Sequence, residues 1–433
     1  MNRTEAKYLL FGAAAVILAA AIFMPMPKSQ KPAEHVYARV PSPPVSAEPG
    51  ISNQQIEQRD LSLDKISGLS GEQTVGLLSR MTPSERTELG RRLTLLPATS
   101  LNNEKIGLFF RAWAKFDPKA AFQMALNFAH KSQSWTALTS VFEGVDPKDT
   151  MTLVESLQHI TPGLLSGEVA QSLLLTALPK WASVDGAGAA AWLDKFGGEV
   201  SPPVWKAVAE TWGKLEPAAA LAWANKQSNS DFKDSQIDGV ITGWMKTDLP
   251  AAAAYAREHL DGTIKSESRV AHAANQLAGQ DPKAAIAYIE SLPEGTAKQF
   301  AQTMAAIKWA YNDPVAAAAW VSSLPPAAQG AAAASVVAMW APQDPQAASN
   351  WINTLQGDAH DSAVSAYSAN LALRDPGAAL SWAQSIAGDS IRTSTVEALV
   401  TQWLRRDSTS ASAWINNSQL SVEEKQRLLP PRR

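Results

Sequence analysis

The sequence has no cysteine, which excludes disulfides, thiolate catalysis and cysteine metal ligation. That absence leaves the compartment open, because a chain without thiols suits oxidising and reducing surroundings alike. Histidine is scarce, with only His35, His130, His159, His259, His272 and His360. None sits at the spacing of a helical zinc site; His259 follows Glu258, but the second histidine of an HExxH pattern is missing. Charged residues make up 18% of the chain and the net charge is -3. With no basic excess there is no electrostatic case for nucleic acid as a partner. The glycine pair Gly197-Gly198 in "FGGEV" reads as a turn rather than a phosphate cradle. Ser62-Leu-Asp-Lys65 and Ser230-Asp-Phe-Lys233 match Ser-x-x-Lys, but the companion motifs of a serine–lysine enzyme are missing. No catalytic residue, metal ligand or cofactor site is therefore expected.

Long hydrophobic runs are also rare, and the one that stands out is at the start. After a short tail, residues 1–7, an uncharged stretch covers residues 8–26 of "MNRTEAKYLLFGAAAVILAAAIFMPMPKSQ". Its length approaches the ~20 residues that cross a bilayer as a helix. A cleaved signal is the alternative, although such signals have apolar regions of about 7–15 residues. Ile22, Phe23 and Met24 supply no small-x-small cleavage site. The stretch is thus expected to be a single-pass anchor. Lys28 and Lys31 on its far side weaken the charge rule for orientation. The simpler reading exports the bulk of the chain to the periplasm or exterior; on the alternative it is secreted. Residues 27–60 are rich in Pro, Ser and Ala and read as a spacer that builds no core.

What the chain does have is a repeat. Acidic residues recur at Asp117, Asp146, Asp185, Glu216, Asp248, Asp281, Asp313, Asp344, Asp375 and Asp407, mostly 31–33 residues apart, and proline follows seven of the ten. A period in this range marks a tandem helical array. Four residues before the acid stand Trp113, Trp181, Trp212, Trp244, Trp309, Trp340 and Trp403. Seven after it stand Trp192, Trp223, Trp320, Trp351, Trp382 and Trp414, and the remaining two, Trp135 and Trp205, lie eleven before. All 15 tryptophans share one frame. Phe142, Leu277, Leu371, Tyr255 and Tyr288 replace them elsewhere.

Each position has a mechanical reading. An Asp accepts hydrogen bonds from free N–H groups at a helix start, and proline suits the first helical position. Ala316 or Ala317, Trp320 and Leu324 then share a face, and Pro325 and Pro326 stop the helix. The preceding helix carries a stripe at minus eleven, minus eight and minus four: Val396, Leu399 and Trp403; Ile237, Val240 and Trp244; Trp205, Val208 and Trp212. Each unit is then a pair of short helices with two faces to bury, and stacked pairs make a continuous core. Tryptophan against alanine would be a large-small code between successive hairpins.

"DPVAAAAW" at Asp313, "DPKAAIAY" at Asp281 and "EPAAALAW" at Glu216 resemble the start of a tetratricopeptide repeat. The resemblance covers roughly 300 residues and implies a protein-binding groove. It departs from the family where Leu324 and Leu355 occupy the usual glycine position and Pro325 cuts the first helix short. HEAT-type solenoids are neighbours of this pattern.

The expected fold is an all-α, right-handed α-solenoid of about ten helix-turn-helix repeats with an N-terminal transmembrane helix. Residues 61–101 form capping helices, with Thr82 and Glu85 as a capping box. Residues 102–420 form the array, and residues 421–433 a last capping helix opened by Ser421 and Glu424. The expected function is a non-catalytic scaffold for an envelope protein or peptide. The alternative is a glycan-binding module, or the superhelical arm of a glycan-cleaving enzyme, with tryptophans as sugar platforms. Between the stripes, exposed positions change from repeat to repeat: Lys119 and Gln123, Lys283 and Glu290, Gln346 and Asn350. A partner would read these.

Overall fold

The computed structural model describes residues 69–93, 100–132, 135–160, 168–196, 200–227 and 230–429. The expected anchor, the spacer, His35 and the Ser62–Lys65 motif lie outside them, as do Gly197-Gly198 and the side chains of His130, His159 and Ser230. Among the described residues there are 23 helices and no strand, and none of the helices is long and apolar enough to cross a membrane. The helices pack in neighbouring pairs, an arrangement compatible with a helical repeat solenoid.

Both expected capping boxes form. Thr82 N–H donates to Glu85 at 2.6 Å, and Glu85 N–H returns to the Thr82 hydroxyl at 3.3 Å. Ser421 and Glu424 make the same exchange before the last helix, Val422–Leu428. Inside the array the frame acid ends one helix and begins the next. The Asp313 N–H donates to the Trp309 carbonyl, while its carboxylate accepts from Ala316 N–H at 3.0 Å. Asp117, Asp185, Asp281, Asp344, Asp375 and Asp407 repeat both halves of this pattern. The minus-four position is thus set by a backbone bond, because the residue there supplies the carbonyl that closes the first helix. Glu216, one methylene longer, makes no side-chain cap and instead accepts from Trp212 Nε1 at 3.1 Å. Since an N-cap contributes about 1 kcal/mol, Asp313→Ala should lower stability by about that amount in denaturant titration.

The chain divides into two compact units at a frame acid: one ends at Asp248 and the other begins at Leu249. Within each, the longer helices of successive repeats make extensive contact, and the shorter ones make few. Small residues allow the close approach. In the unit ending at Asp248, helix Pro202–Leu215 meets helix Ser230–Met245. A Cβ on Gly213 would lie 2.5 Å from the Val240 carbonyl oxygen, and one on Gly243 would lie 1.9 Å from that of Glu210. In the unit beginning at Leu249, the contacting helices Ile264–Gln280 and Thr296–Asn312 carry buried alanines, among them Ala271, Ala274, Ala301 and Ala305, and a Cβ on Gly279 would lie 2.6 Å from the Lys308 side chain.

One polar clamp joins successive repeats of the second unit. Asp361, 4% exposed, accepts from Gly388 N–H at 2.7 Å and Ala387 N–H at 3.1 Å. Burial alone would raise this carboxyl, but those two N–H groups and His360 outweigh it and hold it below its ordinary value. Its contribution to stability is therefore complete above the unfolded carboxylate pKa of about 3.9 and is lost as pH falls through the lower folded value. Asp361→Ala should cost about 2 kcal/mol near neutral pH, as bonds to a charged group do. Urea titrations of the two proteins at a series of acid pH values should converge.

Candidate functional site

None of the 15 tryptophans is exposed. The minus-four and plus-seven rings meet within one hairpin: Trp212 and Trp223 at 5.9 Å, Trp309 and Trp320 at 5.6 Å, Trp340 and Trp351 at 6.2 Å between centroids. Between hairpins a minus-four ring meets a small residue in at least one place: a Cβ on Gly186 would lie 2.2 Å from the Trp212 indole. Tryptophans therefore pack ring to ring inside a hairpin and against small residues between hairpins. Tyr288 substitutes as expected: it is buried, and burial pushes its phenol above the ordinary value.

Two of the six plus-seven tryptophans reach the previous repeat by the indole nitrogen. Trp223 Nε1 donates to Asp194 at 3.1 Å, and Trp351 Nε1 donates to the Ser322 hydroxyl at 3.2 Å. Each bond spans 29 residues and ties neighbouring short helices. Trp192, Trp320, Trp382 and Trp414 make no such bond among the described residues. The residue 29 positions before Trp320, Ser291, is engaged with the Tyr288 carbonyl and Arg257.

A cavity of about 440 Å³ opens at this untied step. Its walls are the short helices Pro282–Glu290 and Pro314–Ser323, which contribute Ile286, Ile289, Glu290 and Trp320. The long helix Thr296–Asn312 lies between them and contributes Lys298, Gln299 and Gln302. Leu324 and Pro325 complete an apolar side. The volume falls within the ~300–1,000 Å³ of ordinary ligand pockets. Its opening follows from the packing described above: long helices held close leave gaps between the short helices.

The comparisons decide nothing further. No protein-family model matches the chain, nor does any curated protein or solved structure. The site must be judged on its own chemistry.

Gln302 stands out there. It lies eleven residues before Asp313, and the other nine repeats place Ile106, Trp135, Leu174, Trp205, Ile237, Val270, Ala333, Val364 and Val396 in that column. Gln302 is 5% exposed and its Oε1 has no hydrogen-bond partner. A buried acceptor left unpaired costs about 1–3 kcal/mol. Sequence reasoning missed Gln302, although a single polar residue in an apolar column was the available signal. At the mouth Glu290 is exposed and Glu294 pairs with Lys298 at 2.6 Å. Glu290 is one of the six variable positions named from the sequence, and all six are exposed.

The other candidates do not converge. His259 stacks on Tyr255 at 3.9 Å, and His360 adjoins Asp361. Among the described residues no three ligand-type side chains are grouped to hold a metal ion. The frame acids are distributed one per repeat as caps and turns.

Proposed function

We propose that this chain is a non-catalytic scaffold that binds another envelope protein or peptide through the gaps between its short helices. In this reading the fold is a tetratricopeptide-like or HEAT-type solenoid of right-handed sense. Residues 8–26 anchor it in the cytoplasmic membrane, and residues 27–60 space the repeats from that membrane on the exported side. The observation that carries the reading is a division of labour. Tryptophan, glycine and alanine are consumed by packing, and the exposed residues vary on a fixed frame. Two of the gaps are tied by an indole bond, and the gap beside Trp320 is among those that are not.

The glycan-platform alternative draws on the tryptophans, none of which is fully exposed and eight of which are buried. The test is capture of the full-length protein from solubilised membranes, with identification of the chains that accompany it. A specific companion should be lost on charge reversal at variable exposed positions such as Lys119 and Lys283, with helical content unchanged. Hydrolysis of cell-wall glycan by the purified protein, abolished by replacing one acidic residue, would overturn the scaffold reading.

A further inference from the structure

We infer that the cavity beside Trp320 receives a lysine or arginine residue of a peptide partner. The inference rests on the scaffold reading and names the chemistry its gap selects. Three groups that no other described residue engages coincide there, and the first of them is buried. Gln302 Oε1, in a column that is otherwise apolar, accepts from no donor. Trp320 lines the cavity, and its indole N–H, like those of Trp192, Trp382 and Trp414, donates to nothing among the described residues. Glu290 stands at the mouth with no ion pair among the described residues, and the neighbouring Glu294 is already joined to Lys298.

An occupant must therefore bring a donor, an acceptor and a positive charge. Its body must suit an apolar wall of Ile289, Leu324 and Pro325. A basic residue within a peptide has all of these. Its methylene stem covers apolar surface while its head stays polar, and the head is favoured near an indole face. Its main-chain carbonyl can accept from Trp320, and its N–H groups can serve Gln302. The three acidic and basic groups of the lining, Glu290, Glu294 and Lys298, sum to one negative charge, which one basic residue neutralises.

The experiment uses the full-length protein in detergent and fluorescein-labelled alanine-based pentapeptides with lysine, norleucine or glutamate at the centre. The lysine peptide should bind, more weakly at high salt. The norleucine and glutamate peptides should bind at least roughly fivefold less tightly, the scale of one partly screened charge pair. Glu290→Gln should produce a similar loss for the lysine peptide alone. Gln302→Leu should also weaken it, with the circular dichroism spectrum retained. Equal binding of lysine and norleucine peptides, indifference to Glu290→Gln, or no lysine-dependent binding at all would overturn the inference. Capture from membranes separates this failure from that of the scaffold. If a companion chain is retained by Glu290→Lys, the cavity assignment falls and the scaffold stands. If the protein instead degrades glycan and holds no companion, both fall.

Discussion

Gly243→Ala should destabilise the unit ending at Asp248 by about 3 kcal/mol, the upper end of ordinary overpacking penalties. The added methyl would lie 1.9 Å from the Glu210 carbonyl oxygen and 2.9 Å from the Lys214 nitrogen. Both atoms belong to the backbone of a neighbouring helix, so a rotamer change gives no relief. The helices must separate, and the buried Val240, Val208 and Ala209 lose close packing with them. Gly76 is the control. It is exposed, inside helix Gly71–Ser79, and a Cβ there meets nothing within 4 Å. Gly76→Ala should stabilise by about 0.5–1 kcal/mol, since alanine loses less freedom on entering a helix. Urea titration followed by helicity should give opposite signs for the same chemical change. Equal effects would show that the small seam is not a close contact.

Trp113→Ala should cost about 3–5 kcal/mol, as emptying an aromatic core site does. Trp113 is fully buried, with Phe109 at 5.5 Å and Phe110 at 5.8 Å between ring centroids. Gly90 leaves room for it, since a Cβ there would stand 2.7 Å from the indole. Trp113→Phe should lose much less. The indole nitrogen of Trp113 is buried without a partner, so phenylalanine keeps most of the apolar area and removes an unsatisfied donor. Trp414→Ala, at a partly exposed ring near the end of the array, should cost less than Trp113→Ala. Thermal unfolding of the four proteins orders them directly.

The frame was legible because its chemistry is local. An aspartate that closes one helix through its N–H and opens the next through its carboxylate acts within four residues on either side. Its spacing to the tryptophan is therefore written in the chain. The capping boxes at Thr82 and Ser421 were legible for the same reason. What each tryptophan touches was not, because the minus-four ring meets a plus-seven ring only after the hairpin closes. Gly239, where a Cβ would lie 2.7 Å from the Lys206 carbonyl oxygen, stands four residues before Gly243 and marks the same helix face, but the sequence does not say which helix lies opposite. Asp361 is similar: an acid in a helix becomes a clamp only when Ala387 and Gly388 of the next repeat come to it. The break between units at Asp248 has no counterpart in the spacing, which continues at 32 and 33 residues on either side. Gln302 was visible in principle. Its meaning requires the whole minus-eleven column, together with the knowledge that Trp320 leaves its gap untied.

The central claim is that the tryptophan frame builds the hairpins and that binding belongs to the residues between. Iodide quenching of tryptophan fluorescence, with and without cell-wall glycan, tests it most directly. The account predicts partial quenching of the folded protein, no protection by glycan, and much stronger quenching on unfolding. A large quenched fraction in the folded protein, shielded by added glycan, would contradict it.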